Sequence, residues 1–492
     1  MKDFDFLTMQ ILIKPGFTVL LFLHVFMVSA QTGGEKIKRP LNIVLFIADD
    51  LGVNDIEPYG NSIVRTPNLK KLAEKSVLFT KAFASSPTCT PSRSTIFTGL
   101  MPVRHGAHGN HSGVKAGTKS IVQYLQPLGY RVAIAGKYHI GPEDIFSFER
   151  VSKTNIPEPG FEKKPGLNYD LASEPIDEWL SQQQTDKPFM LVVADHSPHV
   201  IWPEMATYDP GSIDVPVNHI DTRETRISRA RYYTDVSKMD ANMGRLLNSL
   251  NKNKLAENTV VIFIADQGPQ WPFAKWSLYD DGVRVPLIIS WPGRNNEPKR
   301  TNALVSLADI LPTIAEIAGG KAPDGIDGES FLDLLNGKLT EGRRFVYATH
   351  TGDKQINRSP ARMVRSSQYK YILNLAPEIK YTTHMDLAKD HDGGREYWSS
   401  WVNKSFTDQH AASILWRYHN RPKEEFYDLI ADPHELKNLA AESKYSSLLE
   451  QYRAEMVRWR KLQNDTMTGP EIVSDGPAVP GARPIAPYVF RD

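Results

Sequence analysis

The chain has one cysteine in 492 residues, Cys89, so no internal disulfide can form. It also lacks an excess of charge of either sign: 58 Lys and Arg stand against 57 Asp and Glu, for a formal net charge of +1. Nucleic-acid binders usually carry a strong basic excess, so no nucleic-acid partner is expected, although local patches can still attract anions. Beyond the N-terminus no run is long and apolar enough to span a bilayer. Neither a solenoid-type repeat nor a low-complexity block interrupts the sequence. What remains is ordinary for a globular protein, at 41% hydrophobic and 23% charged residues. The length suits one large domain with a smaller partner, or two to four modest ones, with a core that needs no staples.

The N-terminus has its own pattern. Lys2 and Lys14 precede an apolar run from Phe17 to Val28, which ends in Ser29 and Ala30 before Gln31. A charged start, a short apolar stretch and small residues at its end read as a secretory signal over residues 1–30. The alternative is an N-terminal anchor, for which the run is shorter than the roughly 20 residues of a spanning helix. The expectation is an exported chain, periplasmic or secreted, with no stable membrane insertion. A lone thiol in an exported protein is a candidate for chemistry, although a single Cys is more often a small buried hydrophobe.

From Leu41 onward strand and helix patterns alternate, which predicts a largely parallel α/β sheet flanked by helices. Leu41–Ile47 is a near-continuous apolar run, as expected of a strand buried on both faces. Strands are also expected at Arg131–Ala135, Phe189–Val193, Thr259–Ile264 and Val285–Trp291. Helices are expected at Asn68–Leu78, Ser120–Leu128, Ile176–Gln183, Ala230–Leu250 and Ala303–Ala318. After about Arg344 the pattern changes to short antiparallel strands, at Arg362–Val364, Tyr369–Leu373 and Glu424–Leu429, with a closing helix Tyr445–Leu462. The organisation expected is a signal over 1–30, an α/β domain over 31–345, an α+β subdomain over 346–467 and a Pro/Gly-rich tail over 468–492.

Three of the expected strands end alike: Ala48-Asp49-Asp50, Ala194-Asp195-His196 and Ala265-Asp266-Gln267. A single Asp after a strand is usually a cap or turn residue. Three on the edge where open α/β sheets bind ligands favour a site. Asp49, Asp50 and Asp266 with the amide oxygen of Gln267 offer the hard oxygen donors that suit a divalent cation. Between them lies Ser86-Pro87-Thr88-Cys89-Thr90-Pro91-Ser92-Arg93, then Thr98-Gly99. Pro91 is at home at a helix start, where its missing N–H is not needed, and a helix N-terminus favours a negative oxygen at residue 89.

That segment resembles the Cys-x-Pro-Ser-Arg signature of the type I sulfatases. Further matches are Gly136-Lys137-Tyr138-His139, Ser197-Pro198-His199, Asp266-Gln267-Gly268, Lys275 before Leu278–Pro286, and Phe426–Leu429 with Asp432–Glu435 and Asn438–Ala440. The resemblance runs from about Leu41 to Leu462. It implies an alkaline-phosphatase-like fold: a mixed, mostly parallel sheet flanked by helices, with a smaller C-terminal antiparallel α+β subdomain. It implies that Cys89 is oxidised to formylglycine by a formylglycine-generating enzyme during maturation. It also implies one divalent cation, Ca2+ here, held by Asp49, Asp50, residue 89, Asp266 and Gln267. In the mechanism so implied, one hydroxyl of hydrated formylglycine attacks sulfur and the second expels sulfate. Arg93 and Lys137 would stabilise charge at residue 89, His139 would be the base, and His199 and Lys275 would hold the sulfate, one of them protonating the leaving group.

Gln267 stands where the family has Asn. The extra methylene suits flexible calcium geometry better than octahedral magnesium. The Gly141-Pro142-Glu143 and Gly268–Phe273 segments resemble the sulfamidase-like branch, whose animal members cleave N-sulfated glucosamine from heparan; that branch, however, has arginine where Lys275 stands. The signal ending and the lack of other cysteines resemble bacterial enzymes of polysaccharide breakdown. The expected substrate is therefore an O-sulfate ester of an algal polymer such as ulvan or its oligosaccharides, with the heparan N-sulfate second. A phosphodiesterase or phosphonate hydrolase of the same superfamily and a non-catalytic glycan binder are the other readings. His105, His108 and His111 could face a sugar or lie in a surface loop, and the same holds for His384 and Arg395.

Overall fold

A computed structural model describes residues 40–157, 169–183, 187–294, 299–353, 357–387 and 395–469. The expected signal and nearly all of the expected tail lie outside the described residues. The strands are β1 (Asn42–Ala48), β2 (Ser76–Phe83), β3 (Arg131–Gly136), β4 (Glu149–Arg150), a β5–β6 pair (Asn155–Pro157, Tyr169–Leu171), β7 (Phe189–Ala194), β8 (Thr259–Ala265), β9 (Arg284–Ser290) and β10 (Lys299–Ser306); the apolar runs of β1, β7 and β8 are buried on both faces, whereas the short β4, β5 and β6 are mostly half-buried or exposed. Eight of them make one sheet, ordered β10-β2-β9-β8-β1-β7-β3-β4. Within it, β9 pairs antiparallel with both neighbours, β2 and β8, and every other pairing is parallel.

Helices α1 (Pro67–Ala73), α2 (Cys89–Thr98), α3 (Ile121–Leu125), α4 (Glu174–Ser181), α5 (Arg223–Lys252) and α6 (Ile310–Ile317) pack around that sheet. A second, antiparallel sheet, β11 (Val346–His350), β12 (Ala361–Arg365), β13 (Tyr369–Asn374) and β14 (Glu424–Asp428), follows in the order 11-12-13-14. Between β13 and β14 the chain inserts helices α7 (Arg395–Ser405) and α8 (Gln409–His419), and α9 (Ser446–Leu462) closes it. One face of the second sheet joins the main core through Ala348, Met363 and Ile372. The other packs Val364, Tyr371 and Phe426 against Leu449, Tyr452, Met456 and Trp459 of α9. Among the described residues no helix is long and apolar enough to cross a membrane.

Two expected helices are shorter than their patterns. The one over Asn68–Leu78 stops at Ala73, and Val77, Leu78 and Phe79 instead pair with Ile289, Ile288 and Leu287 of β9. The one over Ala303–Ala318 begins only at Ile310, because Leu304, Val305 and Ser306 pair with β2 and complete β10. Ser306 then marks the strand-to-helix switch, its hydroxyl accepting from the Ala308 N–H at 3.3 Å. In both places apolar residues at helical spacing also suit a strand buried on both faces, and ladder pairing decides.

Candidate functional site

The termini of β1, β8, β7, β3 and β2 lie along one edge of the large sheet. Each delivers a chemically loaded segment there: Asp49-Asp50, Asp266-Gln267, Asp195–His199, Lys137–His139, and the Ser85–Cys89 run into α2. Two glycines make the approach possible. Gly136 has φ +82°, and a Cβ there would meet the Ala194 carbonyl oxygen at 2.0 Å; at Gly268 a Cβ would meet the Asp281 carbonyl oxygen at 1.8 Å. Asp50, His139 and Trp276 sit in left-handed backbone at φ 63°, 48° and 73°. Such strain in non-glycine residues is held only where the surroundings over-determine it, and it clusters at functional sites.

Helix α2 begins at Cys89, two residues before Pro91, which therefore falls inside the first turn, where N–H groups still have no helical partner. The whole helix is buried although it is rich in hydroxyl groups. Ser92 Oγ donates to the Asp266 carbonyl at 2.5 Å, and Ser85 Oγ donates to Thr95 Oγ1 at 2.7 Å. These bonds fix the helix start against the strand ends.

Cys89 Sγ lies 3.8 Å from Asp49 Oδ1, 3.9 Å from Asp50 Oδ1, 4.0 Å from Lys137 Nζ and 3.4 Å from Gln267 Nε2. Arg93 donates from Nε to Asp266 Oδ2 at 2.8 Å and from Nη2 to Asp49 Oδ1 at 3.1 Å. Lys137 Nζ donates to Asp49 Oδ2, and Lys275 Nζ to Asp50 Oδ2 at 2.6 Å. His199 Nδ1 donates to the Val200 carbonyl at 2.6 Å, which leaves Nε2 facing Asp50 Oδ2 at 3.6 Å. The three carboxylates are thus matched in number by Arg93, Lys137 and Lys275. Lys137 and His199 keep part of their side chains open to solvent, at 14% and 29%.

Burial pushes the Cys89 thiol up to about 12, against the pull of Lys137 and Lys275. At neutral pH the sulfur is therefore protonated and a poor nucleophile. Asp49 would be raised by burial, but Lys137 foremost, with His199, Arg93 and Lys275, holds it well below the usual carboxylate range. Burial lowers His199 to about 4, so its imidazole is neutral, while Lys275 is raised by Asp50 against burial and keeps its proton.

A divalent cation fits this donor set. Asp49, Cys89 and Asp266, and likewise Asp50, Cys89 and His199, bring ligand atoms within 4.8 Å of one another. Gln267 Oε1 is buried with no hydrogen-bond partner while its Nε2 donates to Asp50 Oδ1, an orphaned oxygen of the kind a cation satisfies.

The catalytic, sulfate-binding and cation residues expected from the sequence lie at this edge, but not all meet residue 89. Among the described residues no hydrogen bond joins His139 to Cys89; its ring lies 4.8 Å from that of His111, and burial first, then His111, lowers its pKa. Asp195 turns away from the carboxylate cluster, accepting from Asn242 Nδ2 of α5 at 2.7 Å and from the Ser197 N–H at 3.2 Å. His105 is a structural residue, packed between Thr95 Oγ1 at 3.2 Å and the Pro91 carbonyl at 3.3 Å. His108 is half-buried, with its Nδ1 buried and unpartnered among the described residues. The Arg395 side chain lies outside the described residues. Sequence reasoning missed Asp353, which accepts from His111 Nδ1 at 3.0 Å and has His384 Nε2 at 3.8 Å. Nothing in its Gly352-Asp353 setting marks it before folding brings residues 111, 353 and 384 together.

Comparison with known proteins matches residues 41–320 to the sulfatase family and residues 269–412 to the family described as N-sulphoglucosamine sulphohydrolase, C-terminal. An ulvan-active sulfatase of Formosa agariphila is 33% identical over 442 residues, covering 88% of this chain and 82% of that one. The human N-sulphoglucosamine sulphohydrolase is 29% identical over 496 residues, covering 91% and 95%. The solved structure of a 2-O GAG sulfatase superposes with a TM-score of 0.65 at 21% identity, covering 87% of this chain and 93% of that one.

Proposed function

The chain belongs to the sulfatase family, has the alkaline-phosphatase-like fold and is a sulfuric ester hydrolase. From that premise we propose that it removes O-sulfate from a sulfated polysaccharide or its oligosaccharides, an algal polymer such as ulvan above all. The observation that carries the reading is the placement of Cys89. It sits at the start of a buried helix, among three carboxylates and three cationic side chains, as a thiol too strongly protonated to act as it stands. Conversion to formylglycine by a generating enzyme during export to the periplasm resolves that contradiction. The ulvan-active relative supports the substrate class.

Asp49, Asp50, Asp266 and Gln267, with residue 89, would hold the cation, and the length of Gln267 favours Ca2+. When present, the aldehyde hydrate supplies two geminal hydroxyls and the cation a Lewis acid that lowers a hydroxyl's pKa. The chain's own groups do the rest. Arg93 and Lys137 place positive charge at residue 89. Lys275 Nζ already donates to an anionic oxygen, Asp50 Oδ2, and an incoming sulfate would meet the same ammonium; His199 Nε2, 3.6 Å from that oxygen, would join it once protonated. Of the pair, Lys275 holds a proton at neutral pH and is the donor to the leaving oxygen. His139, neutral and with Nδ1 unpartnered, is the base that the family resemblance assigns, a role that requires its ring to reach residue 89 from its present place beside His111.

A second reading, hydrolysis of N-sulfated glucosamine, draws on the match of residues 269–412 and on the human relative. Sulfate release from ulvan-derived and heparan-derived oligosaccharides separates the two. Release from N-sulfated glucosamine alone would reverse their order, and a strong preference for phosphodiesters over both pools would overturn the sulfatase chemistry. Intact-mass measurement on protein from its native host checks the conversion of Cys89, since exchange of the thiol for an aldehyde lowers the mass.

A further inference from the structure

Next to residue 89 lies a polar cluster that the proposed chemistry leaves unused. Asp353 follows β11 and is fully buried. His111 Nδ1 donates to its Oδ1 at 3.0 Å, whereas His384 Nε2 stands 3.8 Å from Oδ2, beyond hydrogen-bonding range. The His384 ring stacks on Trp276 at 4.8 Å between centroids, and Asn357 Nδ2 is 3.5 Å from His384 Nδ1.

Both ends of the cluster reach the site. The His111 N–H donates to Thr90 Oγ1 at 3.3 Å, and Thr90 is the neighbour of Cys89. Trp276 is the neighbour of Lys275. Asn110 ties the two sides together: its Oδ1 accepts from the Thr90 N–H at 3.2 Å, and its own N–H donates to the Gly352 carbonyl at 3.0 Å.

Among the described residues, three buried oxygens of this segment have no hydrogen-bond partner, Thr351 Oγ1, Asp353 Oδ2 and Asn357 Oδ1; Thr349 Oγ1, both ring nitrogens of His350 and Arg358 Nε, next to them in the chain, have none either. Thr351, Asp353 and Asn357 are 2%, 0% and 1% exposed. Folded interiors leave few such atoms, because each forfeits its bonds to water, so a group of them beside an anion-binding centre calls for a ligand. A carboxylate oxygen and an amide oxygen only accept, a threonine hydroxyl does both, and Arg358 Nε donates. Their complement is a set of groups that both donate and accept, as the free hydroxyls of a sugar ring do.

We propose that Thr351, Asp353 and Asn357 form the subsite that holds the sulfate-bearing sugar by its free hydroxyls, with His111 fixing the carboxylate in place. The inference rests on the sulfatase reading and narrows it. It makes the preferred ring one with free hydroxyls beside the sulfate.

The test uses Asp353→Asn and Thr351→Val in the full-length, matured enzyme. The probes are whichever of the ulvan-derived or heparan-derived oligosaccharide pools the unsubstituted enzyme desulfates, and inorganic sulfate as an inhibitor that needs the sulfate pocket alone. Asp353→Asn is expected to lower kcat/KM on the oligosaccharide on the order of 100-fold, mostly through KM, with the inhibition constant of sulfate within about twofold. Thr351→Val removes a hydroxyl that bonds to nothing in the folded chain. It should leave the melting temperature unchanged or raised while lowering oligosaccharide kcat/KM about tenfold, so it keeps the test open even if Asp353→Asn fails to fold. Equal weakening toward oligosaccharide and sulfate, or unchanged oligosaccharide kinetics in Thr351→Val, would overturn the subsite. No sulfate release from either pool by the unsubstituted enzyme would instead overturn the proposed polysaccharide substrate and the inference with it, a result that no substituted protein can produce.

Discussion

Among the buried clusters of opposite charges in the described residues, two are built for different ends. In the one at the sheet edge, Asp49, Asp50 and Asp266 meet Arg93, Lys137 and Lys275. The other joins the loop after Lys275 to the antiparallel sheet. There Lys370 Nζ lies 2.6 Å from Asp280 Oδ1 and 2.8 Å from Glu435 Oε1, and Arg365 Nη2 lies 2.9 Å from Asp280 Oδ2. In that second cluster Lys370 is fully buried and Arg365 4% exposed, and Glu435 Oε1 makes no hydrogen bond among the described residues. The first likewise leaves Arg93 Nη1 and Gln267 Oε1 unsatisfied, but it opens further to solvent, through His199 at 29%. Neither ion pairing nor an unsatisfied atom alone therefore marks a site; the first cluster adds a route in from solvent and the thiol of Cys89.

If the contrast is right, substitutions in the two clusters fail differently. Cys89→Ala should reduce sulfate release at least about 10⁴-fold while the melting temperature holds, measured by sulfate assay and calorimetry on the same preparation. Lys370→Met should do the reverse. Leaving Glu435 and half of Asp280 uncompensated costs about 3 kcal/mol of stability in denaturant titration, with kcat/KM of the folded fraction within about threefold. Lys275→Ala should fall between, losing about 10²–10³ in kcat/KM, or ~3–4 kcal/mol of transition-state stabilisation. The smallest effect is acidic. Burial would raise Asp280, but Arg365 and then Lys370 hold it below its ordinary 3.8. Its contribution is therefore complete above that value and is lost as pH falls below it. The acid limb of a melting-temperature profile should be shallower in Asp280→Asn, and an unchanged limb would remove Asp280 from the account.

How much of this was legible in the sequence differs between the two clusters. The strands of the large sheet show as continuous apolar runs because both of their faces are covered, and the acids at their ends stand out against that background. Cys89, Arg93, Lys137, His199 and Lys275 lie in short motifs whose order survives in the fold. Strands β2 and β10 were hidden, since Val77-Leu78 and Ala303–Ser306 continue a helical phase from their neighbours and only pairing reveals them. Asp195 repeats the pattern of Asp49 and Asp266, but Asn242 of the long helix α5 takes its side chain. Asp353, His111 and His384 carry no shared signal, being joined by tertiary structure alone, and so do Asp280, Arg365, Lys370 and Glu435.

Strand β9 runs against the rest of its sheet, so the segment from Asp266 to Val283 leaves β8 and enters β9 at the same edge. A parallel crossover would have carried those residues to the far side of the molecule. Here they form a handle fastened at both ends beside Cys89, carrying Lys275 to Asp50, Trp276 to His384 and Asp280 to Arg365 and Lys370 of the smaller sheet. One loop thereby couples the carboxylate cluster to the antiparallel sheet, so a displacement of either is transmitted to the other.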